Sequence, residues 1–310
     1  AGCRTTGQED IRFAPRAAAA ATLLPPLRTE ANLALRQNIP FVEVHVNGHG
    51  PYLFAVDTGV NVTVLSDHIL DELRGAGAGT ARRYRARARG AAGDQVPLAG
   101  VFHVHDLSVG AQRFEDFHAA VLDMTHVRQA LGEDVAGILG FSLFHDRLVT
   151  IDYPGARLII ESGALPAPDE RDILALTRED GLPVLPVNFN GREISLVIDT
   201  GSDQAFALPR TLADDLEFDG ELMPGPMAAT IGGISRRLIG RCADDARLGG
   251  WRVVRPEIMI TDGRARIGGD VLSNFVVTFD QLNNTVRLAE STLAPIPLAD
   301  ALTTVDVPAD

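Results

Sequence analysis

Two Asp-Thr-Gly triplets, Asp57-Thr58-Gly59 and Asp199-Thr200-Gly201, are the residues of this chain best suited by type and spacing to do chemistry. Each follows directly on an apolar run, Leu53-Phe54-Ala55-Val56 in one case and Leu196-Val197-Ile198 in the other. A carboxyl group at the mouth of a buried strand is penalised for its charge, so it holds its proton more tightly than in water. Threonine adds a hydroxyl that can orient the turn. Glycine lets the backbone bend while its N–H approaches the carboxylate. If the two turns meet face to face, the carboxyl groups share one proton, and one serves as base toward a water while the other donates to a carbonyl under attack.

Both triplets sit at the same place in an internal repeat, which turns a short motif into a specific signal. Ile39-Pro40-Phe41-Val42-Glu43-Val44-His45-Val46-Asn47-Gly48 recurs as Leu182-Pro183-Val184-Leu185-Pro186-Val187-Asn188-Phe189-Asn190-Gly191. Each copy reads as strand, Asn-Gly turn, strand, ending on the triplet. Gly48 to Asp57 is one residue longer than Gly191 to Asp199, and the expected place for that difference is the hairpin turn. A second block closes each half: Ala136 to Phe144 with Leu148 to Tyr153, and Arg266 to Asp280 with Thr285 to Leu288. The expected organisation is an N-terminal tail or tether over residues 1–35, a first β lobe over 36–163, a linker over 164–181, a second β lobe over 182–291 and a C-terminal tail over 292–310.

Composition agrees with two packed lobes. The 310 residues are 45% hydrophobic and 22% charged, which excludes a disordered or collagen-like chain. The formal charge is −13 and every basic residue is arginine, a balance that disfavours nucleic acid as partner. Two cysteines, Cys3 and Cys242, supply no disulfide framework.

The paired triplets in this frame resemble the pepsin-like and retropepsin-like aspartic proteases, bacterial members with lean repeats most closely. The stretch Gly269-Asp270-Val271-Leu272 through Phe279-Asp280-Gln281-Leu282-Asn283-Asn284-Thr285-Val286-Arg287-Leu288-Ala289 is similar to the closing segment of a pepsin-type C-terminal lobe. The resemblance implies an all-β, bilobal fold with pseudo-twofold symmetry and few short helices. It also implies an aspartic endopeptidase in which Asp57 and Asp199 activate a water, with no metal or organic cofactor. Thr58 and Thr200 would bond across the lobe interface, Gly59 and Gly201 would lie under the dyad, and Ser202 would support the second turn. Ile138-Leu139-Gly140 and Ile267-Gly268-Gly269 would be the apolar-apolar-Gly segments behind the turns. Two positions depart from the family: Val60 stands where Ser or Ala is usual, which leaves Asp57 harder to deprotonate, and Gly268 stands where a bulky apolar residue is expected. These departures motivate the alternative of a catalytically impaired peptide-binding or envelope scaffold protein.

Such enzymes cover the cleft with β-hairpin flaps. Arg82 to Val96 is the first-lobe candidate, with Tyr84 facing the cleft, while Arg83, Arg85, Arg87 and Arg89 read as a solvated strand edge, the alternative being a face toward an acidic substrate or anionic lipid. Ile231-Gly232-Gly233 is a second candidate tip; an ordinary Gly-rich hairpin is the alternative there. All eight histidines fall in the first lobe, and His103 and His105 share a strand face. With no further ligand clustered beside them in sequence, no metal site is expected. Cys242 reads as a small buried hydrophobe. Ala1-Gly2-Cys3 resembles the end of a bacterial lipoprotein signal, which would make Cys3 a lipidated anchor in the periplasm or cell envelope. The alternative is that this cysteine stands at the start by accident. The expected partner is a peptide or protein substrate, and the expected state is a monomer.

Overall fold

The computed structural model describes residues 28–75, 81–82, 87–89, 95–225, 228–230, 233–235 and 237–290. Each copy of the repeat opens with a β-hairpin: Ile39–Val46 against His49–Asp57, and Leu182–Phe189 against Arg192–Ile198. A two-residue loop that matches the twist of its strands needs positive φ at both positions, which Asn-Gly supplies. Asn47 and Gly48 have φ of 50° and 80°, and Asn190 and Gly191 have 50° and 91°. Both turns are therefore the same length, and the extra residue of the first copy is not at the turn. His49 faces Val46 and Tyr52 faces Val44, so it is a bulge inside the His49–Asp57 strand.

Alternation along the first strand of each hairpin sends one set of side chains inward. Val42, Val44 and Val46 are buried in the first lobe while Glu43 and His45 are exposed, and Leu185, Val187 and Phe189 are buried in the second. Burial of each such side chain stabilises the fold by roughly 1.5–3 kcal/mol relative to exposure. The second strand of each hairpin carries the triplet and is clamped by a parallel neighbour. Ala55, Val56 and Asp57 pair with Ile138, Leu139 and Gly140, and Val197 and Ile198 pair with Arg266 and Ile267. Val64–Ser66 and Phe206–Pro209 flank those neighbours antiparallel. The result is a mainly β, two-lobed molecule whose helices are short, the longest among the described residues being Thr125–Leu131. No helix among the described residues is long and apolar enough to cross a membrane.

A six-stranded sheet joins the lobes, in the order Thr29–Asn32, Arg157–Glu161, Leu148–Asp152, Phe275–Asp280, Thr285–Glu290, Ile173–Ala175. Its central pair comes one strand from each repeat. Thr150 lies opposite Thr278 with their hydroxyls 2.8 Å apart and buried, and the ring of Phe141 meets that of Phe279 edge-on at 5.4 Å. Two stretches expected to be unstructured connections contribute strands here. Thr29–Asn32, at the end of the presumed tether, pairs with Arg157–Glu161. Within residues 164–181, Ile173–Ala175 pairs with Thr285–Glu290 and Thr177–Glu179 with Leu182–Phe189. Prolines and charges dominate that stretch in sequence, but Ile173 and Leu174 are buried against the inter-lobe sheet.

The Thr150–Thr278 pair makes a test of this joint. Thr150→Val strands a buried hydroxyl on Thr278 and is expected to cost about 1–2 kcal/mol in urea unfolding, whereas the double Val variant recovers most of that loss.

Candidate active site

The two triplets meet through their threonines. The Thr58 N–H donates to Thr200 Oγ1 at 3.0 Å, and the Thr200 N–H donates to Thr58 Oγ1 at 3.2 Å. Each hydroxyl then donates to a carbonyl of the opposite lobe, Thr58 Oγ1 to Ile198 O at 2.6 Å and Thr200 Oγ1 to Val56 O at 2.7 Å. Both threonines are buried, so these four bonds are shielded from water and join the ends of the two strands that carry the triplets.

The glycines nest the turns. The Gly59 N–H donates to Asp57 Oδ1 at 2.8 Å and the Gly201 N–H to Asp199 Oδ1 at 3.1 Å. A Cβ on Gly59 would overlap the carboxyl group of Asp199, and one on Gly201 would overlap that of Asp57. Each carboxyl group therefore lies against the opposite lobe's glycine, and the two acids are brought together as the repeat suggested.

Their environments are unequal. The surrounding protein pushes Asp57 well above the usual carboxylate range, and the charge of Asp199 pushes it further. Asp199 is also raised by burial, but Arg266 and the hydrogen bond from Asp57 oppose the shift. The two carboxyl groups therefore titrate as one coupled pair, in which the nearby Arg266 favours ionisation of Asp199.

Arg266 is the residue that sequence reasoning missed. It is buried, and its Nε stands 3.6 Å from Asp199 Oδ2, the oxygen not bonded by Gly201. The cause is a shift of one residue in the expected alignment of the supporting segments. Gly140 pairs with Asp57, while the Asp199 N–H bonds Ile267 O, which sets Gly268 beside Asp199. A Cβ on Gly140 would strike Val62, and one on Gly268 would strike Gln204, each five residues beyond the Asp of its triplet. Arg266-Ile267-Gly268 is therefore the counterpart of Ile138-Leu139-Gly140. Gly268 holds the place that Gly140 holds in the first lobe and is no anomaly; the departure is an arginine where the first lobe has Ile138. The equal spacing of Gly140 to Asp152 and Gly268 to Asp280 carried this signal in sequence.

Ser202 is buried, but its hydroxyl donates to Gln204 Oε1 at 3.2 Å and not to Asp199. Arg266 occupies that outer carboxylate face instead. Of the flap residues, Tyr84, Ile231 and Gly232 lie outside the described residues, as does Cys3. Arg87–Arg89 pairs antiparallel with Gln95–Pro97, and Ala228–Thr230 with Gly233–Ser235, where Thr230 faces Gly233. Ala228–Thr230 runs beside the Thr125–Leu131 helix of the first lobe. Cys242 is free and buried, and burial raises its thiol pKa.

Thr200→Val leaves the Thr58 N–H and the Val56 carbonyl buried without a partner. It is expected to destabilise the protein by about 2–5 kcal/mol in denaturant unfolding, the sum of two such losses.

No protein of curated function matches this chain significantly. The family model for aspartyl proteases matches residues 42–143 and 185–275, one stretch around each triplet and together more than half of the 310 residues. With that match added to paired acids nested about a threonine exchange, the chain belongs to the aspartyl protease family.

Proposed function

We propose that the protein is an aspartic endopeptidase that hydrolyses peptide bonds with a water held between Asp57 and Asp199. The observation that carries this reading is the meeting of the two acids, each set against the opposite lobe's glycine, with the buried Arg266 beside Asp199 alone. Asp199 takes a proton from the water as its oxygen attacks the peptide carbonyl. Asp57 gives its own proton to the carbonyl oxygen, and a tetrahedral diol forms. The proton gained by Asp199 then passes to the leaving nitrogen as the C–N bond breaks, and the diol returns a proton to Asp57. Water and peptide are consumed, and the dyad ends as it began. Two carboxyl groups supply every proton transfer, so the reading calls for no cofactor.

The impaired-scaffold alternative loses one of its two motives, because Gly268 holds the ordinary glycine position of its segment. Val60 remains, and it accords with the raised Asp57, the member that the mechanism needs protonated. A peptide or protein substrate, a monomeric state and an envelope location through a lipidated Cys3 belong to the same reading. Mass spectrometry of the native N-terminus for diacylglycerol tests the last of these.

Asp57→Asn and Asp199→Asn are each expected to lower kcat on a mixed peptide library by about a thousandfold or more, the scale of a lost general acid or base. A statine-type inhibitor, which replaces the dyad's water, should bind the native protein and not these variants. Full activity in either variant would refute the assignment.

Arg266 sets the pH dependence. A cation beside the dyad favours ionisation, so it lowers both proton-loss steps, and its removal raises both. Arg266→Ile, which copies Ile138, should move the bell-shaped profile of kcat/KM toward higher pH by roughly one unit, while Arg266→Lys should leave it nearly in place. The buried Tyr153 phenol, raised by burial and by both carboxylates, stays neutral through that range.

A further inference from the structure

A second cluster of chemically capable side chains lies away from the catalytic turns, on the ladder between Gly100–Val109 and Gln112–Leu122. His103 and His105 are two residues apart on one strand and share a face. His118 is the cross-strand partner of His103, and its ring stands 5.1 Å from that of His103, while the His105 ring stands 4.3 Å away. Glu115 faces Asp106 and Phe117 faces Val104, so Asp116 falls opposite His105. Its φ of 53° departs from strand geometry, and the His105 N–H turns to Asn47 Oδ1 at 2.9 Å.

Three imidazoles and a carboxylate thus occupy adjacent cross-strand positions of a single sheet face. Asp116 Oδ1 lies 3.7 Å from His103 Nε2 and 3.9 Å from His105 Nδ1, and one ligand atom from each of these three residues falls within 4.8 Å of the others. Ligand atoms around a tetrahedral zinc ion are about 3.3 Å apart at ordinary zinc–nitrogen and zinc–oxygen lengths. A contraction of about half an ångström closes the two carboxylate–imidazole gaps, and one of at most about 1.5 Å closes the gap between the imidazoles.

We propose that His103, His105 and Asp116 bind a divalent transition-metal ion, with zinc as the metal that two imidazoles and one carboxylate suit best and His118 beside them on the same face. The Asp116 side chain is 79% exposed and that of His105 56%, so an ion has open access. Among the described residues no arginine pairs with Asp116. Such an ion would clip two neighbouring strands of the first lobe, apart from the catalytic turns.

The test is zinc titration of the full chain after chelator treatment, by calorimetry near pH 7.5, with cobalt substitution to read coordination by its visible absorption. One saturable equivalent is expected, with a Tm several degrees higher when zinc is in large excess over Kd. His103→Ala, His105→Ala and Asp116→Asn should each weaken binding at least tenfold, while His126→Ala, an exposed histidine outside the cluster, should not. The ligands are at the surface, so the zinc-free variants should keep the native Tm, and His105→Ala is the least disturbing of them. Absence of saturable uptake, uptake unchanged in the three variants, or equal weakening by His126→Ala would each overturn the site. None of these readouts depends on proteolysis.

Discussion

The exchange of hydrogen bonds between Thr58 and Thr200 is the constraint on which the site depends. Each threonine accepts from the other's N–H and donates to the other lobe's strand, so neither turn can take its conformation alone. Once that exchange is made, the path of each backbone leaves room beside it for one carboxyl group and for no Cβ. The closeness of Asp57 and Asp199 follows, and so does their shared proton, since two adjacent carboxylates cannot both ionise at little cost. Acidity here is a product of the joint between lobes and not of either strand by itself.

The joint has two marks along the pseudo-twofold axis, the threonine exchange at the dyad and the facing hydroxyls of Thr150 and Thr278 in the inter-lobe sheet. Symmetry of the backbone makes departures in the side chains chemically informative. Ile138 and Arg266 occupy equivalent places, as do Val60 and Ser202. The first lobe presents its acid with apolar support, and the second presents its acid with a buried guanidinium at the outer oxygen. A symmetric pair of strands therefore sets its two acids in different surroundings, because a single cation lies on one side and favours ionisation there.

The sequence by itself determined the hairpins, their Asn-Gly turns, the mainly β class and the two acids. These are set by local rules: alternation of buried side chains, positive φ at a two-residue turn, and a repeat that places both triplets in one frame. Tertiary structure decided what depends on register between distant strands. The bulge in His49–Asp57, the strands within residues 164–181 and the Arg266–Ile138 equivalence are all pairing outcomes, and a one-residue choice of alignment changes which side chain meets Asp199. The same holds for Asp116 and His118, which stand well beyond His103 and His105 along the chain and reach them only through the antiparallel ladder. Sequence spacing reports neighbours on one strand, whereas a carboxylate's proton or a ligand set is governed by what lies across the sheet, where Coulomb and coordination forces act over a few ångströms.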